Sequence, residues 1–307
     1  MNNYQIERIS EYGDLILKPS LKRLTTIAIG GRAKALFFPH SILTLQAMIS
    51  FCRAEGIAWV IFGNGSNILA NDEYYDGIII KLTRHLNAVY RIGEYAFEIE
   101  AGASLIAMAH KARQLGLSGL EWAAGIPATI GGATYMNAGA YKRSMSDVIT
   151  EVCVLKDEAI QWITNEACAF AYRTSIFKEQ PNWPILAIRV QLEPGNSDEI
   201  SLLMQDRQQR RINSQPLESP SFGSTFRNPN GNFAWQLIED CQLRGYQIGE
   251  AKVSDKHTNF LINIGNARFQ DMIELIHTIQ EEVLRKHQQT LTLEVEIFNW
   301  PNVNQTQ

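Results

Sequence analysis

The stretch GLSGLEWAAGIPATIGGATYMNAGAY, residues 116–141, is rich in small residues. It contains six glycines and six alanines, and Glu121 is its only charged residue. Glycine lacks a Cβ and tolerates φ > 0, so the backbone is predicted to approach a ligand at Gly125, Gly131, Gly132 and Gly139. Backbone N–H groups in such a loop can bind an anion, for example a pyrophosphate. The alternative is a glycine-rich connection that packs under a helix.

A second glycine-rich turn lies earlier in the chain, after the apolar residues 59–62, which are typical of a short buried strand. The turn consists of Gly63, Asn64, Gly65, Ser66 and Asn67. The Rossmann dinucleotide fingerprint fails here, because Ile68 stands at its third glycine position. Two small, polar turns of this kind in one chain favour a bound anion over a purely structural role.

Composition bounds the class of protein. The chain has 307 residues, of which 45% are hydrophobic and 20% charged, as is usual for soluble globular proteins of one large or two smaller domains. A net charge of −4 and a pI near 5.9 argue against a surface that binds nucleic acid or an anionic membrane. We therefore expect no nucleic-acid partner and no membrane partner.

Cysteine and histidine spacing gives no metal or disulfide signature. The four cysteines contain no C-x-x-C, and the six histidines contain no H-E-x-x-H. Free thiols, no protein-ligated metal and a reducing cytosol are predicted. The polar first 14 residues do not have the pattern of a signal peptide, and no apolar run is long enough to span a bilayer, so the expected location is cytoplasmic.

Hydrophobic periodicity predicts mixed α and β structure before residue 195. Short strands are predicted near residues 25–29, 35–38, 59–62, 77–82 and 95–101, and later an antiparallel set at 152–155, 160–163 and 185–192. Ser41 and Ser104 are predicted to cap helices that carry apolar residues at helical spacing.

The sequence Pro194-Gly195-Asn196 is predicted to be a domain boundary. It divides the chain into domain 1–195, with subdomains of about 1–84 and 85–195, and domain 196–307. The second domain is predicted to hold helices near 197–212, 233–243 and 269–287 and strands near 259–263 and 291–298. In the last strand Glu294 and Glu296 share one face, either as a solvated surface or as part of a site.

Two polar sets stand out between these elements. Arg173 lies among aromatic and apolar residues, either as a surface side chain over the core or as a fixed charge in a site. Ser224 follows a glycine and precedes Arg227 and Asn228, either as a compact polar set or as a turn with a helix cap.

Seven short motifs occur in order along the chain. They are T-x-x-I-G-G at 26–31, G-N-G-S-N at 63–67, G-I-P-x-x-x-G-G-A-x-x-M-N-A-G-A-Y at 125–141, Y-R-x-S-x-F at 172–177, G-S-x-F-x-N-P at 223–229, V-S-x-K-H-x-N-F at 253–260 and L-E-x-E at 293–296. Together they resemble one family over nearly the whole chain, the UDP-N-acetylenolpyruvoylglucosamine reductases (UDP-N-acetylmuramate dehydrogenases) of peptidoglycan synthesis. The absence of a long insertion between Arg173 and Gly223 resembles the shorter, type II branch.

The resemblance implies an α+β fold. It consists of a two-subdomain FAD-binding part of the vanillyl-alcohol-oxidase (PCMH) type and a smaller α+β substrate-binding domain. The implied enzyme is a cytoplasmic, monomeric flavoprotein oxidoreductase with FAD and NADPH as cofactors. Its small-molecule substrate is UDP-N-acetylglucosamine enolpyruvate, which it reduces to UDP-N-acetylmuramate for cell wall biogenesis, cell shape and cell division.

The resemblance also implies residue roles. The implied catalytic residues are Arg173 for the substrate carboxylate, Ser224 as proton donor and Glu296 as the partner of Arg173. The implied FAD-binding residues are Gly63, Asn64, Gly65, Ser66, Asn67, Gly125, Ile126, Pro127, Thr129, Gly131, Gly132, Asn137 and Ala138. The implied substrate-binding residues are Tyr141, Tyr172, Arg210, Arg227 and Asn228. The chain departs from the family pattern at Ala128, Lys142, Arg227 and Phe298, so a tighter flavin loop and altered phosphate contacts are expected.

Two other functions remain as alternatives. One is a flavin oxidase of the same cofactor fold that oxidises an alcohol and passes electrons to oxygen, which the Tyr172-Arg173 and Gly223-Ser224 pairs disfavour. The other is a non-catalytic protein that binds a nucleotide sugar, which the presence of Arg173, Ser224 and Glu296 disfavours. Oxygen consumption without NADPH use would indicate the first, and a colourless purified protein the second.

Overall fold

A computed structural model describes residues 1–300, so the last seven residues of the predicted domain 196–307 lie outside the described part. Among the described residues, eight segments are α-helical. They are Asn3–Ser10 (α1), Ile42–Ala54 (α2), Leu105–Gln114 (α3), Ile130–Tyr135 (α4), Ile176–Glu179 (α5), Ser197–Ser214 (α6), Ala234–Asp240 (α7) and Phe269–His287 (α8). Short 3₁₀ turns occur at Leu21–Arg23, Glu121–Ala123, Met145–Asp147 and Glu166–Cys168.

The strands are short and numerous, as expected for an α+β protein. They are Gly13–Leu17 (β1), Ala33–Pro39 (β2), Ala58–Ile61 (β3), Ile68–Ala70 (β4), Tyr75–Ile80 (β5), Val89–Arg91 (β6), Ala96–Glu100 (β7), Leu117–Ser118 (β8), Gly139–Ala140 (β9), Arg143–Ser144 (β10), Ile149–Lys156 (β11), Ala159–Thr164 (β12), Ile185–Gln191 (β13), Glu193–Pro194 (β14), Ser221–Ser224 (β15), Gln247–Ile248 (β16), Ala251–Val253 (β17), Phe260–Asn263 (β18) and Glu296–Phe298 (β19).

The chain forms two compact units that interleave along the sequence. The first contains Met1–Leu17, Lys34–Asn64 and Asp76–Gln209, and the second contains Lys18–Ala33, Gly65–Tyr75 and Arg210–Gln307. The predicted boundary between residues 195 and 196, with its two subdomains, stays a prediction. The turn at residues 63–67 supplies residues to both units.

The first unit is built on two sheets. One has the strand order β1-β2-β5-β3, with β3 parallel to β5, and the other is an antiparallel sheet in the order β12-β11-β13-β7-β6. Its core is continuous and apolar, and includes fully buried Phe37, Ile78, Phe97 and Trp122. The Ser41 side chain caps α2 by accepting from the Thr44 N–H, and Ser104 caps α3, which confirms both predicted helix starts.

The second unit has an antiparallel sheet in the order β15-β18-β17-β16 and a two-stranded parallel sheet of β4 and β19. Helix α8 carries the predicted apolar stripe, and its residues Met272, Ile276, Ile279 and Val283 are all buried in the core of this unit. The helix therefore supports the sheet that contains β15, the strand that ends at Ser224. Within residues 1–300, no helix combines the length and the apolar character that crossing a bilayer requires.

One predicted strand is wrong. Residues 25–29 form a turn instead, in which the Thr25 hydroxyl donates to the Ile29 carbonyl at 3.0 Å and Ala28 has φ of 56°. A local hydroxyl-to-backbone bond competes with strand pairing, and β propensity alone does not reveal it. The strand predicted at 291–298 is shorter than expected and covers Glu296–Phe298, although Leu291 and Val295 are buried as its alternation predicted.

Candidate active site

The turn at residues 63–67 presents unpaired backbone donors. The N–H groups of Gly63, Asn64, Gly65 and Ser66 donate to no acceptor within residues 1–300. Gly65 has φ of +70°, and a Cβ there would lie 2.0 Å from the Leu24 carbonyl oxygen, so only glycine fits. Four successive N–H groups without protein partners suit the binding of an anion such as a pyrophosphate.

The stretch 125–138 behaves differently, because many of its N–H groups are already used. The N–H groups of Ile130 and Gly131 donate to the carbonyls of Ala103 and Ala101, each at 2.8 Å. A Cβ at position 131 would lie 2.9 Å from the Ala101 Cβ, so the close approach made by this glycine is to the protein itself. This part of the stretch packs against residues 101–103, which lie between β7 and α3.

The first two residues of the turn nevertheless contact the stretch. The Asn64 side-chain amide donates to the Pro127 carbonyl at 3.1 Å. The Cβ position of Gly63 lies 2.7 Å from the Thr129 hydroxyl, which caps helix α4 by accepting from the Gly132 N–H. Within the first unit, Gly63 and Asn64 are therefore neighbours of the stretch 125–138.

The Asn137 side chain links two other segments of the first unit by hydrogen bonds. Its Nδ2 donates to the Ala171 carbonyl at 3.0 Å, its Oδ1 accepts from the Ser146 N–H at 3.0 Å, and the residue is buried. Both ends of the amide are thus used by the protein. Contact of Asn137 with FAD stays a prediction, as do the FAD contacts of Gly125, Ile126, Pro127, Thr129, Gly131, Gly132 and Ala138.

Arg173 lies at the tip of a tight turn that Asn137 helps to hold. Ala171 and Thr174 exchange two backbone hydrogen bonds of 3.1 and 3.2 Å, which leaves Tyr172 and Arg173 projecting between them. Arg173 has φ of 56°, a conformation that costs a non-glycine residue about 1 kcal/mol or more. Its Nη2 donates to the Gly139 carbonyl at 2.7 Å, and its guanidinium lies 5.1 Å from the Tyr172 ring centroid. These contacts hold the guanidinium in place, while its position in a site stays a prediction.

Ser224 ends strand β15 just after a bulge. Ser221 pairs with Ile262 and Ser224 with Phe260, so one extra residue lies between the two pairs. Gly223 has φ of +80°, which permits this distortion. A bulge redirects the side chain that follows it, and bulges are common beside active sites. The backbone conformation at position 223 therefore explains why a glycine precedes Ser224.

Glu296 begins strand β19 and is hydrogen-bonded to the second glycine turn. Its N–H donates to the Asn67 carbonyl at 2.9 Å, and the Asn67 side chain donates to the Glu294 carbonyl at 2.9 Å. The Glu294 N–H in turn donates to the Thr225 carbonyl at 2.8 Å. These bonds join the segments that carry Ser224 and Glu296 within the second unit, with Asn67 beside them.

The predicted substrate-binding residues lie in both units. In the first unit the Tyr141 hydroxyl donates to the Arg207 carbonyl at 3.3 Å, and the Arg207 guanidinium lies 4.8 Å from its ring centroid. In the second unit Arg210 is exposed, and Asn228 accepts from the Ala234 N–H at 3.0 Å, which places Asn228 at the start of α7. The Arg227 Nε is buried and has no hydrogen-bond partner within residues 1–300.

Asn259 is a residue that the sequence interpretation missed. Its Oδ1 accepts from the Phe226 N–H at 2.9 Å, and its Nδ2 donates to the Phe226 carbonyl at 2.8 Å. Its own carbonyl accepts from the Thr225 N–H at 2.8 Å. The side chain thus clamps the backbone that follows Ser224. The motif V-S-x-K-H-x-N-F contained it, but spacing alone does not tell which member is the clamp.

Replacing Asn259 by alanine is expected to lower the free energy of unfolding by about 2–4 kcal/mol, because two buried backbone groups of Phe226 lose their partners. Urea unfolding of the variant checks this. The exposed Asn230→Ala is the matched control and should leave the midpoint unchanged. An unchanged urea midpoint in the Asn259 variant would show that the hydrogen bonds of this side chain do not stabilise the fold.

His257 stabilises the same segment in its neutral form. The Asn259 N–H donates to its Nδ1 at 3.3 Å, so this nitrogen must be unprotonated. Burial first, and the nearby Arg244 charge second, lower the pKa of His257 below its ordinary value. The contribution of neutral His257 to the free energy of unfolding is therefore complete above the ordinary histidine pKa. It is lost as the pH falls below that pKa.

We expect stability to fall between about pH 7 and pH 5, and to fall less in His257→Gln, which keeps an acceptor but does not titrate. Urea unfolding at several pH values measures this. The exposed His277→Gln is the control. If stability depended on pH equally in wild type and His257→Gln, titration of His257 would not be the cause.

Family models and known proteins match most of this chain. A family model described as "FAD binding domain" matches residues 33–162, and one described as "UDP-N-acetylenolpyruvoylglucosamine reductase, C-terminal domain" matches residues 215–298. The UDP-N-acetylenolpyruvoylglucosamine reductase of Caldanaerobacter subterraneus subsp. tengcongensis is 42% identical over 95% of this chain and 96% of that protein. The Bacillus subtilis reductase of the same name is 38% identical over 94% of this chain and 95% of that protein.

A solved structure agrees as well. The crystal structure of the UDP-N-acetylenolpyruvylglucosamine reductase from Thermus caldophilus matches with a TM-score of 0.80 and 33% identity, over 93% of this chain and 98% of that one. Fold and matches thus define an FAD-binding oxidoreductase of α+β class, which confirms the predicted vanillyl-alcohol-oxidase type of cofactor fold. The chain belongs to the UDP-N-acetylenolpyruvoylglucosamine reductase family, whose members are enzymes that make a peptidoglycan precursor.

Proposed function

We propose that this enzyme uses NADPH to reduce the enolpyruvyl group of UDP-N-acetylglucosamine enolpyruvate, and so forms UDP-N-acetylmuramate in the cytoplasm. It acts as a monomer on this small molecule and supports cell wall biogenesis, and through it cell shape and division. The observation that most supports the proposal is the bond from the Glu294 N–H to the Thr225 carbonyl, which joins the segments of the proposed proton donor and the proposed glutamate.

The protein offers groups that fit FAD. The N–H groups of Gly63, Asn64, Gly65 and Ser66 have no acceptor within residues 1–300, so they suit its pyrophosphate. Asn67 and the stretch 125–138 complete the proposed cofactor site. Bound FAD supplies a hydride to the substrate and takes one from NADPH.

Arg173 binds the substrate carboxylate in this proposal. A guanidinium keeps its charge at all relevant pH values and can donate to both carboxylate oxygens at once. Addition of hydride to the methylene carbon pushes negative charge toward that carboxylate, so a fixed positive charge lowers the barrier. The bond to the Gly139 carbonyl keeps the side chain in place before substrate arrives.

Ser224 donates the proton that completes the reduction of the enolpyruvyl double bond in this proposal. The carbon next to the one that receives hydride becomes strongly basic, and a well-placed hydroxyl is then acidic enough. Glu296 acts with Arg173 on the carboxylate, protonated or bridged by a donor. Tyr141, Arg210, Arg227 and Asn228 hold the uridine diphosphate part of the substrate, and Tyr172 also contacts the substrate.

The visible spectrum of the purified protein, followed by an NADPH oxidation assay, tests the function. A bound flavin spectrum is expected, and NADPH oxidation should start when enolpyruvyl-UDP-N-acetylglucosamine is added. Oxygen consumption without NADPH use would indicate the oxidase alternative. A colourless protein that binds the nucleotide sugar would indicate the non-catalytic alternative.

A further inference from the structure

Three side chains from separate parts of the chain converge on the surface of the first unit. The Asp14 carboxylate lies 3.4 Å from the His40 Nε2 through Oδ1 and 3.0 Å from the His85 Nε2 through Oδ2. One ligand atom from each residue lies within 4.8 Å of the others. Neither the flavin-binding segments nor the proposed catalytic residues include any of them.

Strand register explains the convergence. Asp14 in β1 is directly opposite Phe38 in β2, so their side chains lie on the same face, and His40, two residues beyond Phe38, continues that face. The Arg84 guanidinium stacks on the Phe38 ring at 4.1 Å, and His85 is the next residue in the chain. The two imidazole rings meet edge to face, with centroids 5.1 Å apart.

The donor set has the chemistry of a transition-metal site. Two imidazole nitrogens and a carboxylate oxygen are preferred zinc ligands, with metal–ligand distances of about 2.0–2.2 Å. In a tetrahedral site such distances place ligand atoms roughly 3.4 Å apart. The two nitrogen–oxygen separations of 3.4 and 3.0 Å are already close to this value. A small rotation of the exposed His40 and His85 rings would complete the geometry.

One charge opposes a cation here. Arg84 donates to the Asp14 Oδ2 at 2.8 Å, and its guanidinium is the first cause, ahead of His85 and His40, that holds the pKa of the Asp14 carboxyl well below its ordinary value. An aspartate carboxyl is ordinarily ionised at neutral pH, where a neutral imidazole can bind a metal. A metal would have to displace or tolerate Arg84.

We propose that Asp14, His40 and His85 form a binding site for one divalent transition-metal ion of the zinc class, with water at the fourth position. The sequence interpretation expected no metal site, because the three ligands are far apart in the chain and match no spacing motif. Only the pairing of β1 with β2 and the position of the segment after β5 bring them together.

Isothermal titration of the full chain, free of any histidine tag, with Zn²⁺ tests the proposal. One saturable site per chain is expected at neutral pH. His40→Ala, His85→Ala and Asp14→Asn should each weaken binding at least about tenfold. Binding should also weaken as the pH falls, because an imidazole must lose its proton to bind metal. Thermal unfolding without zinc checks that each variant folds.

Matched controls separate this site from chance binding. His110→Ala removes another exposed histidine of the same unit, and Cys241→Ser removes the half-buried thiol, so neither should change the affinity. Arg84→Gln should tighten binding about fivefold or more, since it removes a competing positive charge. Absence of a saturable site, or binding that survives the joint loss of His40 and His85, would overturn the proposal, and so would weaker binding in Arg84→Gln.

Discussion

Ser224→Ala is expected to slow reduction of the substrate by a factor of roughly 10² or more, while reduction of the enzyme by NADPH is retained. The hydroxyl is needed only when the substrate carbon takes up its proton. Stopped-flow absorbance, with each half-reaction started separately under anaerobic conditions, measures the two rates.

The structure offers a control on the same strand. Ser221→Ala removes a hydroxyl three residues earlier in β15, before the bulge at Gly223, and should affect neither half-reaction. The Asn259 clamp on the backbone after Ser224 is present in both variants. An equal loss in both half-reactions of Ser224→Ala would mean that the serine is structural.

Arg173→Ala is expected to lower kcat/KM for the enolpyruvyl substrate by about 10²–10³, because the developing charge on the carboxylate loses its preorganised donor. Arg173→Lys keeps the positive charge but cannot donate two parallel hydrogen bonds to the carboxylate. It should therefore recover only part of the lost kcat/KM. Steady-state kinetics with varied substrate at saturating NADPH gives the values.

Arg173 also has structural contacts, so the test needs a second readout. Its Nη2 is bonded to the Gly139 carbonyl, and its φ of 56° carries some strain. The unfolding midpoint of Arg173→Ala should change little compared with the kinetic effect. The exposed Arg143→Ala is the matched control. A loss of activity that follows only from unfolding would contradict a direct role for Arg173.

The regular elements could be predicted because their signals are local. Helix α8 has the predicted bounds, 269–287, since its apolar stripe repeats over five turns and buries one face. Asn196 accepts from the N–H groups of Asp198 and Glu199, which caps α6 at its predicted start. The antiparallel strands β11, β12 and β13 were predicted from the valine- and isoleucine-rich runs.

The details of the candidate site were harder to predict, because they depend on contacts between distant residues. Gly131 lies against Ala101, a contact that composition does not reveal, and its approach to a ligand stays a prediction. Asn137 has both ends of its amide bonded within the protein, and only the fold reveals those partners. The clamp at Asn259 and the zinc-type cluster around Asp14 likewise come from residues far apart in sequence.

An anaerobic titration tests most directly whether the electrons of this enzyme reach the enolpyruvyl double bond. The enzyme is first bleached with one equivalent of NADPH, and then enolpyruvyl-UDP-N-acetylglucosamine is added. One equivalent of substrate is expected to restore the visible absorbance completely and to yield one equivalent of UDP-N-acetylmuramate. An absorbance that stays bleached with substrate and returns only when oxygen is admitted would contradict it.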